Sequence, residues 1–205
     1  MFYTYKMKKQ VIVIHGGDSF GTYEEFLTNL MQVAVSLEWL NRKDWKPTLK
    51  ERLGEDYEVL LPRMPNPQNA KYREWKTWFE KFVPLMSDDI ILVGHSLGAS
   101  FLAKYLSEET FPKKVKGVFL IAPPFDSDGG RALVEFNMTN DLANLREAGY
   151  PVFLYHSEDD PVVDYGEHAK FRTLLPSAKG ESFTDRQHFN QSEFAELVRD
   201  IKSLG

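Results

Sequence analysis

Cysteine is absent from this 205-residue chain, which excludes a disulfide framework, a thiolate zinc site and a cysteine nucleophile. Long apolar runs are missing as well. Behind the early lysines Lys6, Lys8 and Lys9, the run Val11 to Ile14 is too short for a signal-peptide core or a membrane span. A soluble, cytoplasmic protein with no membrane partner is expected, and Met7 offers an alternative start that would make residues 1 to 6 dispensable. A strong excess of one charge is also lacking: the net charge is −5, with both signs interspersed, which argues against a nucleic-acid partner. No Gly-x-Gly-x-x-Gly or Gly-Lys-Ser/Thr follows the first glycine turn, so a phosphate-binding reading of it fails. No two histidines stand at a metal-ligand spacing, and no metal site is expected. Internal repeats and interdomain linkers are absent, leaving one domain over 1–205, with 1–10 as an N-terminal extension. A chain of this size buries about 70% or more of its unfolded surface and needs no staple.

What is present centres on Ile90-Ile91-Leu92-Val93-Gly94-His95-Ser96-Leu97-Gly98. The apolar run reads as a buried strand, and Leu97 to Leu106 carries apolar residues at helical spacing. A Gly-x-Ser-x-Gly pattern alone arises by accident in roughly one chain in twenty of this length. Between a strand and a helix it marks a sharp turn that pushes Ser96 out above the sheet, with Gly94 and Gly98 leaving room for neighbouring backbone.

The rest of the chain alternates in the same way. Val11 to Ile14 is a first strand, ending in His15-Gly16-Gly17. Apolar residues at 27, 30, 31, 34 and 37 predict an amphipathic helix over Glu24 to Leu40, and a short helix from Thr48 to Leu53 stops at Gly54. Tyr57 to Leu61 is a second strand, closed by prolines. Tyr72, Trp75, Phe79, Phe82 and Met86 form one helical stripe, read as packing on the sheet rather than as a ligand box. Val115 to Ile121 and Val152 to His156 are further strands, with room for one or two short helices between them. Tyr165 to Leu175 is a helix, Ala178 to Thr184 a weak last strand, and Gln191 to Leu204 a terminal helix. The alternation predicts an α/β fold: a three-layer α/β/α sandwich with a mostly parallel sheet of about six strands. Ligands in such sheets bind beyond the carboxyl ends of the strands.

The polar candidates fall at those ends. A serine hydroxyl needs a base, and the base needs a third group to orient it; Ser96, Asp160 and His188 follow the order nucleophile, acid, histidine. Asp159 is the next candidate for the acid, and Asp126 and Asp128 are more distant ones. His15, His95, His156 and His168 are explained by packing or solvation. Leu97 and Gly17, with Gly16 as its alternative, would supply the two N–H donors of an oxyanion hole. Phe20, Phe125, Met138 and Phe189 stand near these strand ends and are candidates for lining a substrate pocket.

Through His15-Gly16-Gly17, Gly94-His95-Ser96-Leu97-Gly98, Asp160-Pro161-Val162-Val163 and His188, the chain resembles the α/β-hydrolase superfamily from Val11 to its C-terminus. Its short length and triad spacing are similar to the small, lidless serine hydrolases typified by retinoblastoma-binding protein 9. The resemblance implies hydrolysis of esters or small amides of a small-molecule acyl substrate, without a cofactor. Two departures stand out: the crossover over 20–56 is long, and its early aromatics are Tyr23 and Phe26 where that group carries a tryptophan. A carboxylesterase is the leading expectation. A peptidase or thioesterase shares the chemistry and differs in the pocket, and an inert hydrolase fold serving a protein partner is the rival from another class.

Overall fold

The computed structural model describes residues 8–128, 131–138 and 141–205, with backbone alone at 127, 128, 131 and 132. In chain order the elements are β1 (Lys9–Ile14), α1 (Tyr23–Gln32), α2 (Leu37–Asn41), α3 (Leu49–Leu53), β2 (Tyr57–Leu60), α4 (Tyr72–Glu80), β3 (Ile90–His95), α5 (Leu97–Glu108), β4 (Val115–Ile121), β5 (Ser127–Asp128), β6 (Arg131–Ala132), α6 (Ala143–Glu147), β7 (Val152–Ser157), α7 (Tyr165–Leu174), β8 (Ser182–Phe183) and α8 (Ala195–Ser203). Six strands form one sheet in the order β2-β1-β3-β4-β7-β8. Every pairing in it is parallel. β5 and β6 form a small antiparallel ribbon that the sequence did not announce.

Alternation along the strands makes two cores. Ile12, Ile14, Ile90 and Leu92 face α4, α5 and α6, while Val11, Val13, Ile91 and Val93 face α3 and α8, the two-residue period sending neighbours to opposite faces. Each such side chain contributes about 1.5–3 kcal/mol when fully buried, and both faces are covered, as a parallel sheet requires. The stripe of Tyr72, Trp75 and Phe79 is buried on α4. It continues after the helix ends, with Phe82 partly buried and Met86 buried beyond a single turn at Val83–Leu85.

Three boundaries differ from expectation. β1 begins at Lys9, paired with Tyr57, so the last two residues of the expected extension belong to the sheet. The helix expected over Glu24 to Leu40 is two helices: Val33 turns extended after α1, and the Ser36 side chain caps α2 by accepting from the Trp39 N–H. No residue from 21 to 43 is buried, so this amphipathic stripe faces outward. The terminal helix starts at Ala195 rather than Gln191. No helix among the described residues is long and apolar enough to cross a membrane.

From β1 the chain winds outward to β2, then returns to lay β3 on the other side of β1. That reversal puts the switch point of the sheet at the carboxyl ends of β1 and β3, the place where α/β sheets bind ligands.

Candidate active site

Ile14 of β1 is in register with Gly94 of β3, so the loops that follow these strands lie side by side. Ser96 occupies the turn between β3 and α5 with φ 55° and ψ −129°, a region costly for any residue with a Cβ. The turn is possible because its flanks are bare. A Cβ on Gly94 would lie 2.5 Å from the Ala99 Cα, and one on Gly98 would lie 2.4 Å from the carbonyl oxygens of Ile14 and His15. α5 behind the serine is buried along its whole length except Glu108. The Ser96 hydroxyl is nearly buried, at 7% residue exposure, and does not cap its helix.

Gly16 rests against the serine: a Cβ built on it would be 3.0 Å from the Ser96 Cβ and 3.4 Å from its Oγ. Its conformation is fixed by His15, whose Nε2 accepts from the Met64 N–H at 2.9 Å. That nitrogen is therefore bare, and Nδ1 carries the proton, which it donates to the Gly16 carbonyl at 2.7 Å. Burial, the largest influence, lowers the His15 pKa and favours this neutral form. In a trans peptide the carbonyl and the following N–H point in opposite directions, so holding the Gly16 oxygen also aims the Gly17 N–H. The loop is further tied by the Asp18 N–H to the Pro67 carbonyl at 2.8 Å. Leu97, as the first residue of α5, has an N–H without an intrahelical partner.

The loop after β7 brings in the candidate acid. Asp160 has a side chain with 0% exposure, 2.8 Å from Nδ1 of His188 through Oδ2, with the other oxygen at 3.1 Å. Oδ1 also accepts the N–H groups of Val162 and Val163 at 2.8 and 3.0 Å. A carboxylate only accepts when ionised, so His188 Nδ1 carries the proton and Nε2 is left as the basic nitrogen. Asp159 serves the loop instead, bonding the Ser157 hydroxyl at 2.5 Å and the Gln187 N–H at 2.9 Å. These bonds, the hydroxyl first, hold its carboxyl below the usual range. Asp126 pairs with Lys170 at 2.7 Å, and the Asp128 side chain lies outside the described residues.

His188 reaches the elbow through His95. Their rings are 4.9 Å apart, and His95 Nε2 donates to the His188 carbonyl at 2.9 Å. The other histidines are spent elsewhere: His156 donates to the Val163 carbonyl at 3.0 Å, and His168 stacks on Tyr165 at 5.2 Å. Burial pushes the His168 pKa down to about 4.

The pocket candidates separate. Phe20 is buried in the loop after β1 and lines a groove of about 610 Å³ with α1 and Val134. Phe125 is partly exposed and accepts the Met138 N–H at 3.0 Å through its carbonyl. Phe189 is a correction. Its ring has 0% exposure and packs on Phe183 and Phe194 in the core, so it offers no face to a pocket; a left-handed backbone at φ 52° turns it inward. Trp45, unmarked by the sequence, donates from Nε1 to the Phe189 carbonyl at 3.1 Å. An aromatic in a long crossover gives no sequence signal of its partner.

A six-stranded parallel sheet with a serine elbow at its reversal point defines an α/β hydrolase. The chain belongs to the serine hydrolase family, whose family model matches residues 38–195. It is 29% identical to the serine hydrolase RBBP9 of Rattus norvegicus over 153 residues, spanning 72% of this chain and 78% of that protein. In fold it is similar to the crystal structure of the ydeN gene product from B. subtilis, with a TM-score of 0.76 at 20% identity over 96% of this chain and 98% of that one. The esterase domain of a Rhodothermus marinus protein superposes with a TM-score of 0.61 at 19% identity, over 98% of this chain and 86% of that one.

Proposed function

We propose that this serine hydrolase cleaves carboxylic esters or small amides of small acyl substrates through a covalent acyl-enzyme. The observation that carries the reading is the contact between His188 Nδ1 and the fully buried Asp160 carboxylate, beside a strained serine turn. In this reading Ser96 Oγ attacks the substrate carbonyl carbon while His188 Nε2 takes its proton. Asp160 holds the imidazole in one tautomer and steadies its positive charge. The tetrahedral oxyanion lies between the N–H groups of Gly17 and Leu97, where preorganised donors are worth a few kcal/mol each. Collapse of the intermediate breaks the bond to the leaving group, which departs with the proton from His188. Water then repeats the sequence on the acyl-enzyme and returns free acid and enzyme.

A small-acyl preference is expected because, among the described residues, the segment between β4 and β7 supplies only the small ribbon, a single turn and the five-residue α6, which build no large cover over the site. A fluorophosphonate probe is expected to label Ser96 alone, and Ser96→Ala to abolish both labelling and hydrolysis of short p-nitrophenyl esters. Labelling that persists in the alanine variant would refute the assignment, and a wild type inert to both reagents would favour a binding role for the fold.

A further inference from the structure

Two side chains outside the triad grip the backbone on which His188 stands. His95 is buried, and a carbonyl only accepts, so its bond to the His188 oxygen means that Nε2 carries the proton. Burial, reinforced by the Lys46 ammonium, pushes its pKa well below the usual range and keeps it in that neutral form. Trp45, 1% exposed, gives its indole N–H to the next carbonyl along, that of Phe189. The tryptophan meets His95 edge-on at 6.3 Å and Phe194 at 5.9 Å.

The turn they hold does not favour its own conformation. Gln187 and Phe189, on either side of His188, have φ of 46° and 52°, a left-handed region that residues with a Cβ enter only when their surroundings impose it. From the other side the Ser157 hydroxyl accepts the Arg186 N–H at 3.1 Å, and Asp159 accepts that of Gln187. Consecutive peptides from 186 to 189 are thus fixed by side chains from β3, the end of β7 and its loop, and the first crossover. Trp45 is also the first buried residue of that crossover after 24 positions, Gly21 to Asp44, with none buried.

We propose that Trp45 and His95 are positioning residues for His188, their N–H donors holding two successive carbonyls so that the imidazole stays against Asp160. This rests on His188 being the base. It assigns to the long crossover a part in the chemistry through its far end, Trp45, rather than through its exposed helices. A group displaced by about 1 Å loses up to a hundredfold in rate.

The test compares Trp45→Phe, which keeps a core ring and deletes the donor, with wild type, using p-nitrophenyl acetate turnover per titrated site. A roughly ten- to hundredfold fall in kcat with KM unchanged is expected. The low-field proton resonance of the His188 Nδ1–H should broaden or vanish. His95→Gln, which retains a side-chain N–H, is expected to keep several-fold more activity than His95→Leu, which has none. A folded Trp45→Phe with wild-type kcat and an intact resonance overturns the proposal, as does equal activity in the two His95 variants. Should Trp45→Phe fail to fold, the His95 pair decides. The resonance comparison needs no turnover, so it judges the grip on His188 even if Ser96 fails to label, the result that would instead remove the triad.

Discussion

His156 Nε2 lies 3.8 Å from Oδ2 of Asp160, and neither side chain reaches solvent. That oxygen is the nearer of the two that His188 contacts, so one carboxylate faces two imidazoles. His156 spends its Nε2 proton on the Val163 carbonyl, and its Nδ1 is buried without a partner. Protonating it would bury a second N–H with nothing to receive it.

Acid should therefore unfold the protein early. Burial lowers the pKa of His15, His95, His156 and His168, the last to about 4. Between the folded and unfolded values the unfolded chain binds more protons, so stability is complete above about 6.5 and is lost as pH falls from there toward 4. Thermal midpoints taken at half-unit steps are expected to drop across that interval, less steeply in His168→Asn. A midpoint flat from 6.5 to 4.5 would contradict this.

Ser96→Gly is expected to stabilise the fold while ending hydrolysis. A Cβ at the observed φ and ψ costs about 1–3 kcal/mol, and the added chain entropy of glycine takes back about 0.5–1 kcal/mol. The net gain of about 1 kcal/mol corresponds to about 2–4 °C for a chain of this length. Ser96→Ala keeps the Cβ and gains nothing, so calorimetry showing equal midpoints for the two variants would remove the strain argument.

His15→Ala frees the Gly16 carbonyl and the Met64 N–H together. If Gly17 serves the oxyanion, kcat should fall about tenfold to hundredfold, short of the loss of a whole donor. KM should change little, because the ground-state carbonyl gains less from that N–H. Steady-state kinetics on a short ester decide it, and an unchanged kcat would place the oxyanion elsewhere.

Burial separates the aromatic stripe of α4 from the apolar stripe of the first crossover. Trp75→Ala is expected to cost about 3–5 kcal/mol, since the ring is fully buried and its Nε1 donates to the Pro65 carbonyl. Leu37→Gln, at a residue 78% exposed, should stay within about 0.5 kcal/mol. Urea unfolding measures both, and a large loss at Leu37 would mean that α2 has a partner.

The elbow was legible because its signals are local: an apolar strand, two residues without a side chain and a helix within a dozen positions. That an acid of the β7 loop and His188 would meet was suggested by their order along the chain, but only the folded loop separates Asp160, in contact with the imidazole, from Asp159, bonded to the Gln187 N–H. The grip of Trp45 and the tautomer of His15 were not legible, since each depends on a carbonyl or N–H brought close by tertiary packing. The periodicity of 27, 30, 31, 34 and 37 announced helix, though one helix where the structure has two, and said nothing of which way the stripe would face. Spacing reports amphipathicity, and whether a stripe finds a core is decided by the rest of the fold.

The buried α5 and the uncovered stretch before Trp45 give one chain two extremes of durability. Amides of α5 are released to solvent only by opening the whole domain, whereas those of α1 and α2 need only local fraying. In deuterium exchange followed by mass spectrometry, peptides from 97–108 should rank among the last to take up label and those from 23–41 among the first. The Ser96 hydroxyl is then mounted among the most persistent parts of the molecule, and α1 and α2 can fray while Trp45, beyond them, keeps its place.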